Sequence, residues 1–452
     1  MKKLSFDRLV MVMLMVMASV GFVSCSDDDD DEIITPKTNT IVDIAVANPD
    51  FSLLVQALTR AELVSVLADS KGDFTVFAPT NAAFTALLAE LKVASINDIP
   101  KETLTAVLLY HVRAGKATSS QISTGYYSSV SPGPETGSFL SFYVDMASTT
   151  INNRSKITAV DVMADNGVIH VIDKVMLPLS IVGHAQANPA FSSLVAAVVK
   201  ANLVDALNAP TVKYTVFAPV NAAFDKLFTE LDVTLNDLTA ETLTPILTYH
   251  VVDAYVPSTN VPNAYVPTLS QAFGNSISVK SEVKTSGVFL NKTAQVVVVD
   301  VVATNGIIHA INEVILPPTV VDIALQNDAF SILVQAVLKA ELVDALKGEG
   351  PFTVFAPTND AFNALFASLS VSGIADLTKE QLTPILLAHV VSGNVLSTAL
   401  STGEVPTLNE NKKLNITVSG QSVTIDGNIN VVLANVQGKN GVVHVINKVI
   451  LP

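Results

Sequence analysis

Residues 74–84 read Phe-Thr-Val-Phe-Ala-Pro-Thr-Asn-Ala-Ala-Phe, and the string returns at 214–224 as Tyr-Thr-Val-Phe-Ala-Pro-Val-Asn-Ala-Ala-Phe and at 352–362 as Phe-Thr-Val-Phe-Ala-Pro-Thr-Asn-Asp-Ala-Phe. The β-branched and aromatic residues predict a strand, and Pro79, Pro219 and Pro357 stop it because proline has no N–H for a ladder. Asn81, Asn221 and Asn359 are expected to cap the helix that follows, a side-chain oxygen accepting from an otherwise orphan backbone N–H. That helix has one apolar face: Phe84, Leu87, Leu88 and Leu91, then Phe224, Leu227, Phe228 and Leu231, then Phe362, Leu365, Phe366 and Leu369, at i, i+3, i+4 and i+7.

Around this block the rest of each repeat falls into place. Upstream, Ile44, Phe51, Leu54, Val55, Leu58, Leu63, Val64 and Leu67 recur at helical spacing, with Asn48-Pro49 breaking the run. Downstream, a further helix carries Leu104, Val107, Leu108 and His111, matched by Leu243, Ile246, Leu247, His250 and by Leu382, Ile385, Leu386, His389. Pro245 and Pro384 fall inside the last two patterns, so a kink or restart is expected there, capped by Thr244 and Thr383. A second block, Asn166-Gly167-Val168-Ile169-His170, recurs at 305–309 and 440–444, and each repeat ends in Leu-Pro. Asn-Gly between apolar runs predicts a type I′ hairpin, which needs positive φ. The middle stretches, 117–150, 257–284 and 396–422, differ among repeats and are expected to hold short strands and loops. With a period of about 140 residues each repeat is long enough to be a domain. The expected class is α+β, with domains at 40–178, 179–317 and 318–452.

The N-terminus reads as a targeting segment. Lys2, Lys3 and Arg8 precede an apolar stretch over 9–23, which ends at Ser24-Cys25. Residues 1–24 are expected to be a lipoprotein signal peptide. Ser24-Cys25 resembles a lipobox, with Phe22 where leucine is usual, and implies lipidation of Cys25, the only cysteine. Residues 25–39 would then be a lipidated cysteine and a flexible tether, since six acids in a row at 27–32 repel one another and stay extended. An acidic run after the lipid cysteine resembles the surface-export signal of Bacteroidetes lipoproteins. The expected location is the outer membrane, lipid-anchored and cell-surface exposed, with a periplasm-facing anchor as the alternative. The 452-residue chain is 49% hydrophobic, 15% charged and carries net charge −15, which excludes nucleic acid as an expected partner.

The three Thr-Val-Phe-Ala-Pro blocks with the three Asn-Gly-[Val/Ile]-[Ile/Val]-His blocks and the Tyr-His pair between them resemble the fasciclin-like domain. The resemblance covers residues 40–452. It implies three tandem fasciclin-like domains, each a compact β-rich wedge or sandwich with packed helices, and a role in adhesion to extracellular matrix or cell-surface protein or glycan. In animal relatives adhesion is ascribed to the Tyr-His pair and to an Asp-Ile pair before the Asn-Gly turn. Carried over, the candidate adhesion contacts are Tyr110, His111, Asp161, Val162, Tyr249, His250, Asp300 and Val301. The third repeat departs at both places, with Ala388-His389 and Asn435-Val436, and is expected to bind most weakly. The acid has a second reading, as a turn residue.

Six of the seven histidines recur: His111, His250, His389, and His170, His309, His444. No third ligand repeats at a metal-binding spacing. The histidines lie among apolar neighbours, so they are expected to be structural, tying helix to sheet through backbone partners. No Gly-x-Ser-x-Gly elbow, phosphate-binding loop or paired carboxylates recur, and neither enzyme activity nor a cofactor is expected. The alternative function is capture of a glycan or small ligand in a nutrient system, for which Tyr126, Tyr127, Tyr143, Tyr255 and Tyr265 are the candidate stacking surfaces. The third repeat has no tyrosine.

Overall fold

The computed structural model of the protein describes residues 39–452, so the signal-peptide and lipidation expectations, Cys25 included, lie outside the described residues. In the first repeat the strands are β1 (Phe74–Pro79), β2 (Val112–Ala114), β3 (Gly125–Pro132), β4 (Phe139–Asp145), β5 (Thr150–Ile151), β6 (Ser155–Ala164) and β7 (Gly167–Ile172). They form one seven-stranded sheet, ordered β2-β1-β7-β6-β5-β4-β3. β1 runs parallel to β7, and the other pairs are antiparallel. The second repeat repeats this sheet with β8 (Tyr214–Pro219), β9 (Val251–Val252), β10 (Tyr265–Ala272), β11 (Asn275–Lys284), β12 (Gly287–Leu290), β13 (Ala294–Ala303) and β14 (Gly306–Ile311). The third does so with β15 (Phe352–Pro357), β16 (Val390–Ser392), β17 (Gly403–Pro406), β18 (Lys413–Ser419), β19 (Ser422–Ile425), β20 (Ile429–Gly438) and β21 (Gly441–Ile446). Each repeat is therefore α+β, a single sheet with helices packed on it.

β1 shows how alternation along a strand builds two cores. Val76 and Ala78 face the helices Ile41–Ala47, Ser52–Arg60 and Val64–Leu67, joining Leu54, Leu58, Phe84, Leu104 and Ile169. Phe77 faces the other way and meets Phe142 edge-on at 5.4 Å. The third repeat has the same division, with one cluster around Phe330 and Phe362 and another around Phe355, Leu414 and Ile425.

Local expectations are corrected in four places. The cap of helix Asn81–Leu91 is Thr80, not Asn81. Asn81 instead reaches back: its Oδ1 accepts from Leu53 N at 2.9 Å and its Nδ2 donates to Pro49 O at 2.9 Å. It thereby serves the N-terminus of helix Ser52–Arg60, whose own cap position, Phe51, has no side-chain acceptor. Asn221 and Asn359 do the same for Ser193 N and Ile332 N, each at 3.0 Å. Second, the helices Ala240–Tyr249 and Lys379–Ala388 run through their prolines, capped by Thr239 and Thr378. Each proline forgoes only its own N–H bond one turn back, and Thr244 and Thr383 bond their hydroxyls to Ala240 O and Lys379 O at 2.7 and 2.8 Å instead of capping.

Third, the Asn-Gly turns are not type I′, since none of Asn166, Asn305 and Asn440 has positive φ. Each asparagine is buried as a clasp. Asn166 Oδ1 accepts from Ile41 N at 2.9 Å, and its Nδ2 donates to Leu67 O at 2.7 Å, pinning the first helices to the hairpin. The glycine is required by close approach: a Cβ on Gly306 would lie 2.1 Å from Tyr214 O, and one on Gly441 2.2 Å from Phe352 O. Fourth, the variable middle stretches form regular strands of eight (β3, β10) and up to ten (β11) residues in the first two repeats, not short ones.

The first repeat with Val302–Thr304 forms one compact unit, and the rest of the second repeat with the third forms another. Within the latter, Tyr265 packs on the third repeat's core and its hydroxyl accepts from Asn327 Nδ2 at 3.2 Å. Lys292 pairs with Asp328 at 2.6 Å, and Gln437 N donates to Ser278 Oγ at 3.2 Å. Among the described residues no single helix is long and apolar enough to cross a membrane.

Candidate functional site

The two recurrent histidines are buried, and their partners fix opposite tautomers. His111 sits at the C-terminus of helix Lys101–Tyr110, where carbonyls lack partners. Its Nδ1 lies 2.7 Å from Val107 O and must donate, while Nε2 accepts from Met176 N at 2.8 Å. His250 and His389 repeat this with Ile246 O and Ile315 N, and with Ile385 O and Ile450 N, at 2.8–3.0 Å. On β7, His170 Nε2 must donate to Ala117 O at 3.0 Å, and Nδ1 accepts a long bond from Asp161 N at 3.4 Å. His309 and His444 have the matching partners Val256 O and Asp300 N, and Val395 O and Asn435 N. A second proton on any of these rings would remove the acceptor that holds a backbone N–H. Burial accordingly lowers His111, His250 and His389 from the ordinary imidazole value to about 4. It also lowers His309 and His444.

The candidate contacts at Tyr110, His111, Tyr249, His250 and Val301 are corrected by burial, since all are at most 2% exposed. Tyr110 donates its hydroxyl to Ser141 O at 2.6 Å and accepts from Asn152 Nδ2 at 3.1 Å. Tyr249 does likewise with Ser278 O and Asn291. Burial raises both phenols above the ordinary tyrosine value. A side chain inside the core offers no surface to a partner in this fold.

Asp161 and Val162 are half-buried, and so is Asp300. Asp161 is not beside the turn but at a break in the β6–β7 register, with φ of 61°. Its carboxylate accepts from Ser119 N at 2.7 Å and Ser119 Oγ at 2.6 Å, clasping the loop that follows β2. Those two bonds hold its carboxyl below the usual range. Asp300 grips Ser258 in the same way, with φ of 59°. In the third repeat Asn435, φ 65°, accepts from Ser397 N at 2.7 Å and donates to Ser397 Oγ at 2.9 Å. The clasp therefore needs a short polar side chain that tolerates left-handed backbone, not a charge.

What this bulge presents outward is apolar. Val160 and Met163 in β6, Val297, Val298 and Val299 in β13, and Val432 and Leu433 in β20 are 38–59% exposed. Bulges re-aim side chains, and clustered exposed apolar groups mark interaction surfaces. The signal was visible in the unbroken valine run 296–299, which must put apolar groups on both faces of its strand. The tyrosine candidates for stacking are mostly engaged internally. Tyr126 and Tyr143 pair at 5.0 Å, and Tyr127 stacks on Phe142 and bonds Ser123 through its hydroxyl. Tyr255 is half-buried, and Tyr265 is taken up by the third repeat. Among the described residues no three His, Cys, Asp or Glu side chains gather as a metal site.

A family model for the fasciclin domain matches residues 49–178, 189–317 and 328–452. The chain belongs to the fasciclin-domain family. A Synechocystis protein, Protein sll1483, is 46% identical over 134 residues, which cover 30% of this chain and 73% of that protein. Human periostin is 27% identical over 395 residues, covering 85% of this chain and 44% of periostin. Pig transforming growth factor-beta-induced protein ig-h3 is 28% identical over 434 residues, covering 93% of this chain and 59% of that protein. The chain thus spans about half the length of these two animal fasciclin proteins. Among solved structures, a FAS1 domain pair from the insect cell adhesion molecule fasciclin I matches 58% of this chain and 97% of its own, at 19% identity and a TM-score of 0.37.

Proposed function

We propose that this protein is a non-catalytic, lipid-anchored adhesion protein of the cell surface, which binds extracellular matrix or another cell's surface through the exposed apolar bulges of its three fasciclin domains. The observation that carries this reading is the bulge itself. The polar side chains at the bulges, Asp161, Asp300 and Asn435, are spent on Ser119, Ser258 and Ser397, while apolar side chains near them in the same strands are exposed. Three weak sites on one chain bind far more tightly than one when a partner engages them together. The lipobox-like Ser24-Cys25 and the acids after it support an outward-facing anchor, and a net charge of −15 leaves nucleic acid out. Glycan capture is the weaker reading, because Tyr127, Tyr143 and Tyr265 have their rings or hydroxyls occupied.

The test is protease treatment of intact cells, followed by attachment of a strain lacking the protein. Release of fragments from intact cells and reduced attachment to matrix-coated or cell-coated surfaces are expected. Protection from protease, or undiminished attachment, would contradict the proposal.

A further inference from the structure

Each repeat encloses an apolar cavity between its first helices and its central strand, and the three differ in size. The volume is about 20 Å³ in the first repeat, about 30 Å³ in the second and about 80 Å³ in the third. Two wall positions change in the same order. The first repeat has Ile41 and Leu58, the second has Ile181 and Val198, and the third has Val320 and Val337. Each step removes one methylene from the wall, and the surrounding helices do not close the space. The mouth changes as well. Only the third repeat has leucine at both rim positions, Leu325 and Leu338, 44% and 57% exposed.

We propose that the third repeat binds the end of a linear alkyl chain, with the chain's polar head left in water. The lining decides the chemistry. His389 is the polar residue of the wall, and both its ring nitrogens are engaged, with Ile385 O and Ile450 N. Nothing remains to pair with a polar group on the buried part of a ligand, and such a group would enter at a penalty. The volume decides the shape. A dry cavity of roughly 150 Å³ accommodates benzene, so a space about half that size is too small for a ring but admits a chain tip. Leu325 and Leu338 then cover the methylenes next to the mouth. Each buried methylene is worth roughly a four-fold gain in affinity.

The experiment is isothermal titration calorimetry of the full chain with sodium decanoate below its micelle concentration, beside 10-hydroxydecanoate, whose tip is polar. Decanoate is expected to bind, and the hydroxylated tip to bind at least ten-fold more weakly. The double substitution Val320→Ile with Val337→Leu restores the side chains of the first repeat. It is expected to leave the melting profile in place and to weaken decanoate at least ten-fold. The reverse pair, Ile41→Val with Leu58→Val, is expected to add a second binding event. Absence of decanoate binding by the native chain, equal binding of the two tips, or unchanged affinity in the filled variant would overturn the proposal.

Discussion

The first and third repeats have the same strand order and both histidines, yet beneath the end of the His-bearing helix one is polar and the other aliphatic. In the first, Tyr110 hydroxyl bonds Ser141 O and the amide of Asn152. In the third, Ala388 packs with Leu414, Ile416 and Ile425, and Asp426 stands in for Asn152. The two asparagines and the aspartate share a left-handed backbone, with φ of 54° at Asn152, 47° at Asn291 and 49° at Asp426. They also share one bond: Asn152 Oδ1 accepts from Tyr143 N, and Asp426 Oδ1 from Asn415 N. Only the amide NH2 is missing in the third repeat, and it is missing where the tyrosine oxygen it would serve is missing too. Asp426 turns its other oxygen to Lys412 at 3.0 Å. The tyrosine and the amide therefore come and go as a pair, as expected of two buried partners, because removing one strands the other whereas removing both is cheap. This covariation within a single chain argues that the Tyr-His pair is internal carpentry and not a partner contact.

The largest effect should come from breaking that pair on one side. Tyr249→Ala opens a cavity and leaves Asn291 unpaired, and should cost about 3–5 kcal/mol in urea unfolding followed by circular dichroism. Tyr249→Phe should cost about 1–3 kcal/mol, the penalty of one stranded buried group. In the third repeat the sign reverses. Ala388→Tyr should destabilise by about 1–3 kcal/mol through overpacking, and adding Asp426→Asn should recover part of the loss.

Acid should then weaken every repeat, since each has a buried imidazole at the end of the same helix. An unfolded histidine takes a proton near pH 6.5, whereas His111, His250 and His389 resist until about pH 4. The unfolded state thus binds more protons as pH falls between these values. Stability present above pH 6.5 is lost on the way down to pH 4 and levels off below, by up to about 3 kcal/mol for each histidine. Urea midpoints at pH 7 and pH 4.5 measure this. His389→Phe should lower stability at pH 7 and shrink the third repeat's share of the pH slope to what His444 supplies.

A smaller effect tests the clasp. Asp161→Asn should leave thermal unfolding near its native midpoint, because Asn435 already serves the third repeat without a charge. Asp161→Ala should lower the midpoint and speed hydrogen exchange at the Ser119 amide.

The architecture was legible because it rests on local periodicity. The apolar spacing around Phe84 and the Val-rich strands have one reading whatever they pack on. The polar side chains were harder for a physical reason. Asn81 precedes an apolar helix and has the chemistry of a cap, but the helix it caps begins 29 residues earlier in the chain, at Ser52. Asn166 has the chemistry of a turn residue, but it is used across 125 residues to hold Ile41. A short polar side chain reads the same whether its partner is local or distant. Asp161 was misplaced because a bulge is a matter of pairing register, which the neighbouring strand sets. The loss of Tyr110 and Asn152 together in the third repeat was the clue available to sequence alone.

The most direct test of the account separates interior from surface in one attachment assay. The triple substitution Val160→Asp, Val298→Asp and Val432→Asp alters only exposed side chains of the three bulges. The account predicts an unchanged melting curve and attachment reduced to that of cells lacking the protein. Full attachment by this folded triple variant would contradict it.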